Sequence, residues 1–258
     1  LIASGRGDGL RAQLLRGSVG VGALKLISLP LTLAASILLA RSLGPEGFGQ
    51  YAFVIALITT LSIPLAPALM QLTTRETAAL HQAGEESRIR TLLRWGNRHV
   101  LFGSALVMVV VGGVALWKAD WQIDDRWTLL LLGLSSLPLL GLNAIRSGIL
   151  AGLRRMVIGQ FPDLVIRPLA LLFVATVMLL GGFLSPLTAV AAFIAGAVSA
   201  LIVGTVLLRR TFPETGDVLP SHDASQHKPW LQAWTPFTVL LAASTPNALI
   251  RIPLLVLP

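Results

Sequence analysis

Residues 18–71 read SVGVGALKLISLPLTLAASILLARSLGPEGFGQYAFVIALITTLSIPLAPALMQ. Two apolar runs, 18–40 and 51–70, flank one polar break, Arg41-Ser-Leu-Gly-Pro-Glu-Gly-Phe-Gly-Gln50. Each run is long enough to cross a bilayer core, since ~20 residues at ~1.5 Å rise span ~30 Å. The break holds three glycines and a proline, so neither run is expected to continue through it as helix. The rest of the chain repeats this plan.

Seven apolar runs are legible in all: 18–43, 49–71, 100–117, 127–152, 160–183, 186–208 and 230–257. The chain is 54% hydrophobic and only 12% charged, against ~25% charged in an ordinary soluble domain. Lipid cannot satisfy open backbone groups, and the runs are too long and unalternating for barrel strands. The expected fold class is therefore an all-α, polytopic transmembrane helical bundle. No cysteine is present, which excludes disulfides, thiol nucleophiles and cysteine metal sites.

The net charge of +8 is explained by topology. Thirteen of the twenty Lys and Arg fall in the N-terminal segment and in the second, fourth and sixth connections. The opposite side carries three, Arg41, Lys118 and Arg126. Basic loops stay cytoplasmic, so the N-terminus is expected inside a cell (inner) membrane, and no nucleic-acid partner is needed. Trp117, Trp121 and Trp127 around the third connection fit an interfacial belt. The second connection, 73–98, reads as an amphipathic helix pair broken near Gly84 and lying on anionic lipid. The expected organisation is a cytoplasmic tail 1–17, a six-span lobe 18–210, a polar linker 211–229 and a further span in 230–258. Because the chain starts at Leu1 and stops inside an apolar run, it is expected to be a piece of a longer protein.

Two segments carry a family resemblance. The first is Leu39-Ala-Arg-Ser-Leu-Gly-Pro-Glu-Gly-Phe-Gly-Gln-Tyr51, ending span 1 and entering span 2. The second is Thr74-Arg-Glu-Thr-Ala78, entering the basic loop; Ala151-Gly-Leu-Arg-Arg155 after span 4 supports both. Together with the span order they resemble the polysaccharide-biosynthesis (Wzx-type, O-antigen) flippases of the multidrug/oligosaccharidyl-lipid/polysaccharide exporter superfamily. The resemblance implies a MATE-like architecture of two helical lobes around a cavity, with spans 1–6 as the first lobe and span 7 opening the second. It implies alternating-access flipping of an undecaprenyl-pyrophosphate-linked oligosaccharide for O-antigen, capsule or exopolysaccharide synthesis. It also implies membrane lipids, a polysaccharide polymerase and other assembly proteins as partners.

An ionisable group inside a span is costly and is a functional candidate by default. At 100° per residue, Lys25, Ser28, Thr32 and Ser36 form one polar stripe on span 1. Ser136, Asn143, Arg146 and Ser147 share a face of span 4, and Ser244, Asn247 and Arg251 a face of span 7. Lys25 and Arg146 lie about two turns in from the cytoplasmic side. The expected site is a cationic cavity of Lys25, Arg146 and Arg251 with Ser28, Thr32, Asn143 and Asn247, suited to a pyrophosphate group. Snorkelling of Lys25 and Arg146 to the inner interface fits the same letters. Asp163 and Arg167, four apart, are expected to form an ion pair at the mouth of span 5.

No enzyme constellation is legible. The histidines, His81, His99, His222 and His227, lack metal-ligand spacing, and no cofactor or metal is expected. Two alternatives stay open. A small-molecule exporter of the same superfamily would want acidic groups deep in a lobe, where the chain has mostly basic ones. A membrane polysaccharide polymerase or glycosyltransferase would want a long outward loop, and the longest here is about 118–126.

Overall fold

The computed structural model describes residues 4–118 and 125–211. Its first helix, α1 (Ser4–Leu61), is interrupted at Gly44, whose φ of 69° and ψ of 178° belong to no helix. That conformation is essentially restricted to glycine. The ten-residue break expected at 41–50 is thus a single non-helical residue, with Pro45 already inside the second arm. The contacts of α1 show that the chain reverses at Gly44. Gly20 lies against Val157 at one end of the bundle and Gly47 against Pro186 at the other, and Thr73 is back at the first end, against Gly148 beside the Ser147–Gly159 bond. The N-terminal segment is also helical from Ser4, not an irregular tail.

The remaining elements are α2 (Pro67–Gln82), α3 (Glu86–Lys118), α4 (Asp125–Leu134), α5 (Leu137–Gly152), α6 (Met156–Phe161), a π-turn at Pro162–Ile166, α7 (Arg167–Leu180) and α8 (Pro186–Thr211). Five helical stretches are long and apolar enough to span a membrane, and the first, Val19–Leu61, covers both arms of α1. No strand occurs among the described residues. The chain is an all-α, polytopic membrane bundle. Leu26, Leu33, Phe102, Val109, Phe173 and Leu180 point outward, as they can where the surrounding solvent is lipid. The seventh span, the linker, Asn247 and Arg251 lie outside the described residues.

Three spans are broken within the membrane. Span 2 comprises the second arm of α1, an interruption at 62–66 and then α2. Pro64 and Pro67 carry no N–H, so helical bonds to Thr60 and Ile63 cannot form, and the Thr60 carbonyl accepts from Ile63 at 3.2 Å instead. Span 4 is α4 plus α5, parted at Ser135 and Ser136, whose hydroxyls bond back to Leu132 and Gly133 at 2.6 and 2.7 Å. Span 5 is α6, the π-turn and α7. Spans 2 and 4 run side by side in the same direction: Val54 and Ile58 meet Gly133, Leu65 meets Gly141, and Thr73 meets Gly148.

The amphipathic pair expected on the membrane surface is instead packed into the bundle as the adjoining ends of spans 2 and 3. The chain does turn at Gly84 (φ 73°). Leu80, Ile89, Leu92 and Trp95, however, are buried against Ile145, Ile149 and Leu150 of α5, because α2 and α3 extend straight from the bundle and their apolar faces have a partner there. This cluster is one of two. The other, toward the opposite end of the bundle, joins Leu39, Tyr51, Val54 and Ile58 of α1 to Leu129, Leu134, Ala175, Val190 and Phe193.

Candidate functional site

A polar cluster lies where α5 crosses span 5 and α8. Three residues of α5 supply most of it: Asn143, Arg146 and Ser147, with Asn143 and Ser147 buried. The Asn143 amide Nδ2 donates to Asp163 Oδ1 at 2.6 Å. Arg146 Nε donates to Thr205 Oγ1 at 2.8 Å, and its Nη1 to the carbonyl of Leu142 at 2.7 Å. Ser147 Oγ donates to the carbonyl of Gly159 at 2.8 Å. Each helix approaches through a residue that leaves room. Gly204 of α8 faces Asn143 and Arg146, and Gly159 of α6 faces the Ser147 carbonyl.

The π-turn places Asp163 here. Arg167 N–H bonds five residues back, to the Pro162 carbonyl. One extra residue in the turn rotates Arg167 out of the α-helical i,i+4 direction. Asp163 and Arg167 remain electrostatic neighbours, and each has a further engagement. Asp163 takes the Asn143 amide, and the Arg167 guanidinium lies 4.5 Å from the centroid of the Phe193 ring. The ion pairs found among the described residues, His81–Glu86 and Glu85–Arg88, both sit in the connection between α2 and α3. The two guanidinium groups thus outnumber the single carboxylate in this neighbourhood, and Asn143 Oδ1 is buried without a partner.

The structure brings Asn143, Arg146 and Asp163 together; it does not join the span 1 stripe to them. Lys25 and Thr32 are exposed and Ser28 is half-buried. The stripe flanks the packed face of α1, which is formed by Leu24, Ala35 and Leu39. Its hydroxyls are satisfied within the helix, Thr32 by the Ser28 carbonyl at 2.8 Å and Ser36 by that of Thr32 at 2.9 Å. Lys25 and Arg146 do lie at comparable depths, because Gly20 is level with Val157 and Ser147 with Gly159. Thr205 and Phe193 escaped the sequence reading. Each is a single residue in an apolar run, and only the crossing of α8 over α5 and α7 gives it a partner.

The architecture and this buried polar cluster define a multi-pass membrane protein with ionisable groups held inside its helical bundle. The chain belongs to the polysaccharide biosynthesis protein family, whose model matches residues 14–255. Neither the curated proteins nor the solved structures gave a match. Membership makes this a membrane protein of polysaccharide biosynthesis.

Proposed function

We propose that this chain is part of a transporter that flips a lipid-linked oligosaccharide, carried on undecaprenyl pyrophosphate, across the cell (inner) membrane by alternating access. The observation that carries the reading is Arg146. Its guanidinium sits inside span 4 and is held by a hydroxyl and a carbonyl, with no carboxylate in direct contact. A forked, uncompensated donor in a low-dielectric setting favours a phosphate oxygen. Family membership supplies the glycan context.

In this reading the N-terminus is cytoplasmic, as the basic connections require, and Lys25, Ser28 and Thr32 line the route from that side. Asn247 and Arg251 of the seventh span form a later station. Partners are the lipid-linked oligosaccharide, membrane lipids, a polysaccharide polymerase and other assembly proteins, and the protein itself performs no covalent chemistry. A cation exporter is disfavoured because Asp163 is engaged by Asn143 and outnumbered by Arg146 and Arg167.

The test is transport of a fluorescent lipid-linked oligosaccharide in vesicles containing the full-length protein. Arg146→Ala is expected to lower the rate at least tenfold, the scale of one charge-assisted hydrogen bond lost, with partial retention in Arg146→Lys. Normal rates in Lys25→Ala, Arg146→Ala and Arg251→Ala together would reject the cationic site.

A further inference from the structure

The breaks in spans 2 and 4 divide the bundle at one level. The interruption at 62–66 lies beside Gly141, just past the break at Ser135 and Ser136. Leu65, nearly fully buried at 3% exposure, fills the space left by Gly103, and its carbonyl lies beside Gly141. Outside this level the core is the Tyr51–Leu134–Phe193 cluster; inside it is the Leu69–Trp95–Ile149 cluster. Each inner half-helix, α2 and α5, therefore has its own core and is joined to its outer half by a turn in which some helical i,i+4 bonds give way to i,i+3 ones. Gly148 and Gly152 lock α2 against α5 so closely that the two form one unit.

Three polar bonds fasten this unit to the neighbouring spans. Asn143 binds Asp163, Ser147 binds the Gly159 carbonyl, and Arg146 binds Thr205. Leu207 and Leu208 of α8 supply the apolar part of the same seam. We infer that α2 and α5 swing as a pair about the two breaks, at 62–66 and 135–136, and that the Arg146–Thr205 contact is the latch that holds the pair closed. The opening stimulus rests on the reading above: a phosphate group that captures Arg146 competes directly with Thr205 for the same N–H. Capture of the headgroup then frees the inner halves while the outer core stays closed. Such an element is bistable because each core packs as a whole and the connection between them is weak.

These 258 residues hold no cysteine, so within them spin labels attach only where a cysteine is introduced. One pair, Ala79→Cys with Arg209→Cys, reports across the seam; a second, Phe53→Cys with Leu187→Cys, reports on the outer half, all four positions being exposed. Distances are measured on the full-length protein in lipid nanodiscs, alone, with inorganic pyrophosphate, and in Thr205→Val. The seam distance is expected to lengthen by roughly 5 Å, the scale of one helical turn, with pyrophosphate and in Thr205→Val, while the outer distance holds. Pro64→Ala with Pro67→Ala, which restores helical donors, is expected to suppress the change. A seam distance unmoved by Thr205→Val, or seam and outer distances that move together, overturns the latch. If pyrophosphate binds by calorimetry yet moves nothing in a protein that Thr205→Val also leaves closed, the latch fails and the anion site stands. If Thr205→Val opens the seam and pyrophosphate neither binds nor moves it, the hinge stands and the anion site fails.

Discussion

The Asn143 amide donates to the Asp163 carboxylate at 2.6 Å across two helices, inside the membrane-spanning part of the bundle. A carboxylate there needs donors, and Ser147 of the same helix as Asn143 is a second one. Asn143→Leu keeps the volume and removes the amide donor. It is expected to lower stability by about 1–3 kcal/mol, the cost of leaving a buried polar group unmet. A thermal melt in detergent reads the effect. Asn143→Asp should be worse than Asn143→Leu, because it sets a second carboxylate against the first. Equal melting temperatures for Asn143→Leu and the parent would remove Asp163 from the structural account.

Gly148 is a packing requirement. A methyl group on it would sit 2.1 Å from Thr73 Oγ1 and 2.6 Å from the Met70 carbonyl. Gly148→Ala is expected to push α2 off α5 and cost about 1–3 kcal/mol, as overpacking does. Thr73→Ala should not rescue it, since the Met70 carbonyl is backbone and cannot turn aside. Rescue by Thr73→Ala, seen as recovered folded yield, would show that the helices can part more easily than this.

Gly44 makes a different demand. With φ 69° and ψ 178° it lies outside the left-handed helical region that Asn tolerates. Gly44→Ala and Gly44→Asn are therefore both expected to destabilise, by roughly 1–3 kcal/mol. An Asn variant that melts like the parent would mean the turn adopts an ordinary left-handed conformation.

Topology is open to direct labelling, because residues 1–258 offer no thiol. A single cysteine at Glu85, in the turn between α2 and α3, should react with a membrane-impermeant maleimide only after cells are opened. One at Phe183, exposed between α7 and α8, should react in intact cells. The reverse pattern would invert the proposed orientation.

Much of this architecture was legible in the letters, because membrane spans announce themselves through length and apolarity. Glycine at the first turn and glycine at residue 84 marked where helices turn, whereas the breaks in spans 2 and 4 fall inside runs that read as single helices. The face of span 4 that carries Asn143, Arg146 and Ser147 followed from helical periodicity alone. The surface placement of 73–98 did not hold, since amphipathicity says that one face is buried without saying against what. Leu80, Ile89 and Trp95 bury that face in protein, against α5.

Local chemistry was therefore written in the sequence: which segments are helices, where proline and glycine interrupt them, and which polar residues share a face. Partnership was decided only by the tertiary structure. Asn143 and Asp163 stand twenty residues apart on different helices, and Arg146 and Thr205 fifty-nine; no periodicity within one helix relates such positions. The π-turn adds the clearest case. One additional residue in a single turn set Arg167 over Phe193, where it still acts on Asp163 through its charge. A pairing read from i,i+4 spacing holds only while the helix between the two residues keeps its α-helical pitch.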